Sequence, residues 1–237
     1  MKACVVGYGA MGKIFCDLLK EDFAFVVAQE CENKCLSDVK SDFDVIIDFS
    51  NPANLDMIID YSYRFKKPVV FATTGFSNED YVKIKKLSKE VPVLVSSNFS
   101  LGVILVNRLV RQITPILKDD FDIEIIEAHH HNKVDAPSGT AKMLLNSVVE
   151  GSGFKPVYGR SGYAPRKPNE VGVHAVRGGS IVGNHDVIFA GEDEIITLSH
   201  QAQSKKIFAV GAIKAAKFLI EQKIGFYDME DVLFGDN

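Results

Sequence analysis

Hydrophobic positions in the first hundred residues alternate between two periods. Short β-branched runs at Ala3–Val6, Phe23–Ala28, Val45–Asp48, Val69–Phe71 and Val93–Val95 predict strands. They are apolar at nearly every position, as a strand covered on both faces must be, so a buried parallel sheet is expected. Helical patterns lie between them. Met11, Ile14/Phe15 and Leu18/Leu19 make one stripe at three- to four-residue spacing. Pro52, after Ser50-Asn51, suits the first turn of a helix that carries Met57, Ile58 and Tyr61. Ser77 is placed to cap a helix with Tyr81, Ile84 and Leu87, and Glu79 and Asp80 lie near its positive end. Strand–helix alternation of this kind predicts an α/β fold: a Rossmann-type, doubly wound parallel sheet with right-handed crossovers.

After Ser100 the pattern changes. A helix over about Leu101 to Leu117 leads to a strand at Asp122–His129, and a second helix follows near Ser138–Val149. A Gly/Pro-rich stretch, Gly151 to Pro168, reads as a mobile surface loop. Three strand candidates come next: Gly172–Arg177, Asn184–Ala190 and Glu194–Gln201. Short Gly-containing turns between them point to a C-terminal α+β domain with a mixed, largely antiparallel sheet. The last helix, Ser204–Glu221, carries enough apolar surface to dock on the first domain. The expected division is residues 1–101, completed by the C-terminal helix and tail at about 208–237, and a second domain over 102–207.

Composition narrows the classes. Apolar residues are 46% and charged residues 24% of 237, which suits a folded chain with a well-buried core. The net charge of -4, with no block of five like charges, argues against nucleic acid or a membrane surface as partner. No apolar run reaches the roughly 18 residues of a membrane span. The chain opens directly into Lys2-Ala3-Cys4-Val5-Val6-Gly7 without a secretory pattern, so a cytoplasmic protein whose mature form starts at Met1 is expected. Cys4 and Cys16 read as small core residues. Cys31 and Cys35 could be half of a metal site, but no second Cys/His pair stands at ligand spacing, so no metal and reduced thiols are expected.

Two segments carry candidate chemistry. The first is Gly7-Tyr8-Gly9-Ala10-Met11-Gly12, a G-x-G-x-x-G between the first strand and the first helix. Gly7 permits the tight turn, Gly9 lets a pyrophosphate approach the backbone, and Gly12 lets helix and strand pack closely. The helix N-terminus offers amides and partial positive charge to that anion. Alone the motif could be a glycine turn in an unrelated βα unit. Here it precedes a strand ending in Glu30, near the usual offset of about 20 residues for a ribose-binding acid. A carboxylate there accepts from a ribose 2′-OH and repels a 2′-phosphate, so NADH is the expected cofactor, with NADPH possible. Asp48-Phe49-Ser50, Ala72-Thr73-Thr74-Gly75 and Ser96-Ser97-Asn98-Phe99 end later strands, where ligands of open α/β sheets lie.

The second segment runs from Glu127 to Ala141 and joins an apolar strand to an apolar helix. Half of the chain's six histidines stand in it, at His129, His130 and His131. Neighbours on a strand point to opposite faces, which disfavours convergence of all three on one metal. A solvated polar turn is the plainer alternative. Ser138 can cap the following helix, while Gly139, Thr140 and the nearby Lys133 form an anion clamp suited to a small acid, with a His and a Lys for proton transfer.

The segment Glu127-Ala128-His129-His130-His131-Asn132-Lys133-Val134-Asp135-Ala136-Pro137-Ser138-Gly139-Thr140-Ala141 resembles the signature E-A-H-H-x-x-K-x-D-x-P-S-G-T-A of the 4-hydroxy-tetrahydrodipicolinate reductases at every fixed position. The resemblance extends to the glycine loop, Asp48-Phe49-Ser50, Thr73-Thr74-Gly75, Asn98-Phe99-Ser100 and Arg177-Gly178-Gly179-Ser180-Ile181-Val182-Gly183. It implies NAD(P)H-dependent reduction of a ring dicarboxylate with loss of water, in diaminopimelate and lysine synthesis, by a homotetramer joined through the second domain. It implies that His129 is the general acid/base, Lys133 the proton donor, His130 a substrate contact and Gly139-Thr140 the carboxylate-binding pair. Gly7, Tyr8, Gly9, Ala10, Met11 and Gly12, with Glu30, Ala72, Thr73, Thr74, Ser96, Ser97, Asn98 and Phe99, would hold the cofactor. The glycine loop is one residue shorter than the G-x-G-G-x-M-G variant, and His131 and Asn132 carry no implied role. A dehydrogenase of another small carboxylate, or a non-enzymatic NAD-binding sensor, would share the scaffold; the dense anion clamp disfavours the first, and retention of both His129 and Lys133 the second.

Overall fold

A computed structural model describes residues 1–19, 24–28, 31–40 and 42–235. Along the chain come β1 (Ala3–Val6), α1 (Ala10–Leu19), β2 (Ala24–Val27), β3 (Val45–Asp48), α2 (Leu55–Phe65), β4 (Val69–Phe71), α3 (Asn78–Leu87) and β5 (Pro92–Val95). They are followed by α4 (Leu101–Leu117), β6 (Asp122–His129), α5 (Gly139–Val149), β7 (Lys155–Tyr158), β8 (Glu170–Arg177), β9 (Gly183–Ala190) and β10 (Ile195–Ala202). The chain closes with α6 (Lys206–Leu219), β11 (Gly225–Tyr227) and α7 (Met229–Phe234). These elements cluster into two units, Met1–Leu101 with the segment from Lys206 onward, and Gly102–Lys205.

The first unit holds a six-stranded sheet in the order β11-β5-β4-β3-β1-β2, with every pairing parallel. β1, β3 and β4 are buried at every position, as their apolar runs require, and Asp48 at the end of β3 is buried with them. Cys4, Val6, Ile46, Phe71 and Val93 pack with Ile58 of α2 and Ile84 of α3 in one core. Ser77 starts α3 as read: its Oγ accepts from the Asp80 amide at 3.1 Å while the Asp80 carboxylate accepts from the Ser77 amide at 2.9 Å. Pro52 lies in a short 3-10 turn, Pro52–Asn54, and the α-helix proper begins after it at Leu55. α6 packs on α1, β4 and β5 through small residues, Ala209, Ala212, Ala215 and Ala216 among them. Its Gly211 lies so close to the Phe99 carbonyl that any side chain would collide with it.

The second unit holds a five-stranded sheet in the order β10-β9-β6-β8-β7. It is mixed: β9 runs antiparallel to β6 and β10, and β8 runs parallel to β6 and β7. The stretch expected as a mobile loop after Gly151 contains β7, a correction to the sequence reading. Lys155-Pro156-Val157-Tyr158 pairs with β8 at the sheet edge, where a proline without an N–H is tolerated. β6 and β9 alternate between buried and part-buried positions. Their inner positions Ile123, Ile125, Val187 and Phe189 pack with Val110 of α4 and with Leu144, Leu145 and Val148 of α5. The same parity carries Glu127 and His129 onto that inner face at the end of β6. Polar chemistry is thus built on the core side of the sheet.

Candidate active site

In the first unit, the carboxyl ends of β1, β3, β4 and β5 are stitched together by backbone bonds. The Phe49 amide donates to the Val6 carbonyl at 2.8 Å, that of Ala72 to Asp48 at 2.9 Å, and that of Ser96 to Phe71 at 3.3 Å. Gly7 to Gly12, Ala72 to Thr74 and Ser96 to Phe99 therefore stand along one edge of the sheet. Gly7 has φ +98°, and a Cβ there would lie 2.5 Å from the Phe49 carbonyl oxygen. A Cβ on Gly12 would collide with the Gly7 carbonyl oxygen. Gly9 differs, because a Cβ built on it meets nothing within 4 Å. Two glycines are thus demanded by packing, while the third opens onto empty space where a phosphate could reach the backbone at the start of α1. The residues present fit a dinucleotide. Glu30 lies outside the described residues.

Asp48 ends β3 fully buried. Its Oδ1 accepts from the Ser50 amide at 3.0 Å and from the Ser50 hydroxyl, while Thr73 Oγ1 accepts from the same amide at 2.8 Å. Burial raises the Asp48 pKa, and the bonds from Ser50 and Thr73 offset only part of that rise. Ser96 and Asn98 turn on themselves: Ser96 Oγ donates to the Asn98 carbonyl at 2.7 Å, and Asn98 Oδ1 accepts from the Ser100 amide at 2.8 Å. These local turns hold the strand ends in shape.

In the second unit, the connection from β6 to α5 brings His129, His130, Lys133, Gly139 and Thr140 into one segment. Glu127 is fully buried and accepts four hydrogen bonds. Arg177 grips it with both terminal nitrogens at 2.8 Å each, His129 Nδ1 lies 2.6 Å from Oε2, and the Ser138 amide donates to Oε1 at 3.1 Å. Burial works to raise the Glu127 pKa, but the bonds from Arg177, His129 and Ser138 outweigh it, and the carboxyl is held below its ordinary value. Burial also lowers the His129 pKa, with Glu127 opposing and Lys133 and Arg177 reinforcing the shift. The chain leaves the sheet after His129, so His130 and His131 stand in the turn and the three imidazoles do not converge.

Ser138 caps α5, its Oγ accepting from the Ala141 amide at 3.1 Å. The same oxygen lies 3.0 Å from Nε2 of His185, a buried residue of β9 whose pKa burial pushes down to about 4. The start of α5 is open beyond this cap: Gly139 is exposed, and a Cβ there would meet nothing within 4 Å. Lys133 Nζ pairs with Asp135 Oδ1 at 2.7 Å, with the lysine side chain 21% exposed. Among the described residues no group of three His, Cys, Asp or Glu is placed to hold a metal ion.

Sequence reasoning assigned no role to Arg177, His185 or Gly183. A Cβ on Gly183 would lie 3.1 Å from His129 Nε2, so this glycine leaves room for the imidazole edge. One signal was available. Glu127 and His129 share the parity of Ile123 and Ile125, and a carboxylate on a buried face demands a cation.

One unit with a doubly wound sheet and a glycine turn open to phosphate, and a second with a mixed sheet and a buried His–carboxylate–Arg cluster, together define the class: a nicotinamide-dependent oxidoreductase. The match to family models is specific: residues 1–99 fit the N-terminal and residues 102–233 the C-terminal domain of dihydrodipicolinate reductase. The chain belongs to the dihydrodipicolinate reductase family, whose members use NAD(P)H. It is 46% identical to the 4-hydroxy-tetrahydrodipicolinate reductase of Caldanaerobacter subterraneus subsp. tengcongensis over 95% of its length and 94% of the relative's. It is 49% identical to the Clostridium botulinum enzyme of the same name over 83% of this chain and 79% of that one. The dipicolinate-bound dihydrodipicolinate reductase from Paenisporosarcina sp. TG-14 shares the fold, with a TM-score of 0.79 at 21% identity over 98% of this chain and 99% of that one.

Proposed function

We propose that the chain reduces 4-hydroxy-tetrahydrodipicolinate to tetrahydrodipicolinate with loss of water, in the diaminopimelate branch of lysine synthesis. The observation that carries this reading is the buried Glu127–His129–Arg177 cluster placed next to the capped start of α5, within a chain that matches the family over residues 1–99 and 102–233. NAD(P)H, held by the glycine loop and the strand ends after β4 and β5, would supply the hydride for ring C4, and the substrate hydroxyl would leave as water. His129, held neutral by burial, moves the ring proton as general acid/base, and Lys133 is the proton donor whose charge stabilises electron density that builds up as the conjugated imine is reduced. Gly139 and Thr140, at the positive end of α5, hold a ring carboxylate, and His130 contacts the substrate.

Gly7, Tyr8, Gly9, Ala10, Met11 and Gly12 hold the pyrophosphate side of the cofactor, and Ala72, Thr73, Thr74, Ser96, Ser97, Asn98 and Phe99 its nicotinamide half. The Glu30 carboxylate favours NADH over NADPH; dissociation constants for the two test this, and tighter NADPH binding refutes it. The exposed apolar residues Val176, Ile195 and Ile196 on the sheet of the second unit support assembly as a homotetramer through that sheet. Among the described residues no helix is long and apolar enough to cross a membrane, which agrees with a cytoplasmic enzyme. The activity is tested by generating the unstable substrate in place from pyruvate and aspartate semialdehyde. NADH absorbance should fall only when the substrate-forming enzyme and both precursors are present.

A further inference from the structure

We propose that Glu127 is a positioning residue: its one carboxylate sets the tautomer of His129 and also fixes the start of α5. The proton-transfer group and the anion-binding helix end are thereby held in a single register. The inference rests on the reading of His129 as the acid/base.

The bonds leave little freedom. An ionised carboxylate only accepts hydrogen bonds. Oε2 lies 2.6 Å from His129 Nδ1, so in the neutral imidazole the ring proton sits on Nδ1 and Nε2 carries the lone pair. Nε2 is the atom beside Gly183, where the lack of a side chain leaves space. A proton is therefore taken up at Nε2, and the imidazolium that forms keeps its Nδ1–H bond to a negative charge. The other oxygen, Oε1, accepts from the Ser138 amide at 3.1 Å, eleven residues further along the chain. Ser138 is the cap of α5, so this bond sets the orientation from which Gly139 and Thr140 leave.

Arg177 of β8 makes the arrangement affordable in electrostatic terms. It neutralises the buried charge with two parallel bonds and ties the same cluster to the Asp135 carbonyl at 2.7 Å. The other ionisable groups around the cluster are His185 of β9, His200 of β10 opposite it in register, and Lys133 and Asp135 of the turn. His185 remains neutral and bonds to Ser138 rather than to Glu127. His185 also meets His129, edge to face with ring centroids 5.1 Å apart, but among the described hydrogen bonds Glu127 alone is bonded to both His129 and Ser138.

The test is ring nitrogen NMR on histidine-labelled protein at pH 8, joined to kinetics. Wild-type His129 should show a protonated Nδ1 and a bare Nε2. In Glu127→Gln the carboxamide must turn an NH2 either toward His129 and Arg177 Nη1, which forces the imidazole proton to Nε2, or toward the Ser138 amide and Arg177 Nη2. This variant should populate the Nε2–H form, lose on the order of 10² to 10⁴ in kcat, as expected for an imidazole in the wrong tautomer, and raise KM for the diacid. Its NADH dissociation constant should stay within about twofold of wild type, since the glycine loop belongs to the other unit. Glu127→Asp, which retains an acceptor-only group, should recover the Nδ1–H form and part of kcat. An Nε2–H tautomer in the wild type would overturn the proposal, and so would wild-type kcat and KM in Glu127→Gln. Equal loss of activity, thermal transition and NADH binding in both variants would reduce Glu127 to a structural ion and also overturn it. Full activity in His129→Asn would sink the acid/base reading beneath the proposal, and an unchanged wild-type tautomer would mark that failure as a separate one.

Discussion

Replacing His185 with Gln should flatten the acid limb of the stability profile. His185 is 4% exposed, and burial, reinforced by the neighbouring His129, lowers its pKa from 6.5 to about 4. Because the folded value lies below the unfolded one, the unfolded chain binds a proton first as pH falls. Stability from the neutral ring is complete above about pH 6.5 and is lost as pH drops toward 4, where the folded state also protonates. Between pH 7.5 and 4.5 the unfolded His185 gains nearly two pH units of proton binding that the folded one resists. At about 1.36 kcal/mol per unit this is about 2.5 kcal/mol. A glutamine amide can still donate to Ser138 Oγ, which lies 3.0 Å from His185 Nε2 in the wild type, but it does not titrate. Urea unfolding of wild type and His185→Gln across this range, followed by far-UV circular dichroism, isolates the difference because all other groups are shared. The wild type should lose about 2.5 kcal/mol more than the variant on acidification. Parallel profiles would show that His185 is not held neutral, and would refute the burial argument.

Lys133→Ala should cut kcat by about 10² or more, the scale for losing one charge aimed at the transition state, with NADH affinity unchanged; an equal loss of NADH binding would show the residue to be misplaced. Gly9→Ala should leave thermal stability intact, because its Cβ would meet nothing within 4 Å, yet weaken NADH binding at least tenfold, or about 1.4 kcal/mol, as measured by fluorescence titration. Gly12→Ala should instead lower stability by about 1–3 kcal/mol in urea, because the added methyl meets the Gly7 carbonyl; unchanged stability would contradict the packing role.

Legibility in the sequence followed the strength of the periodic signal. β4 is apolar at every position, β3 is apolar up to its terminal Asp48, and α4 carries a long apolar stripe, so their limits were readable to the residue. β7 was hidden because Pro156 and the surrounding glycines look like a loop, and only its pairing with β8 makes it a strand. β11, Gly225-Phe226-Tyr227, is as short as β4 but opens on glycine and has no apolar run, and it exists through its pairing with β5. In the site, Ser138 was readable as a cap because it stands directly before an apolar helix. Arg177 was not assigned a role, because its partner Glu127 is fifty residues away and the parallel pairing of β8 with β6 that joins them leaves no mark on local pattern. The charge on a buried parity was the only local sign that such a partner existed.

The most direct measurement is isotopic. Stereospecifically deuterated [4-²H]NADH, prepared with the label on each face in turn, is supplied with substrate formed in place from pyruvate and aspartate semialdehyde. Mass spectrometry and proton NMR then locate the label in the product. One deuterium at C4 of tetrahydrodipicolinate, from one face of the nicotinamide alone, is the expected result. Oxidation of the nucleotide with no label in the ring diacid, or no oxidation with either NADH or NADPH, would contradict the proposed reaction.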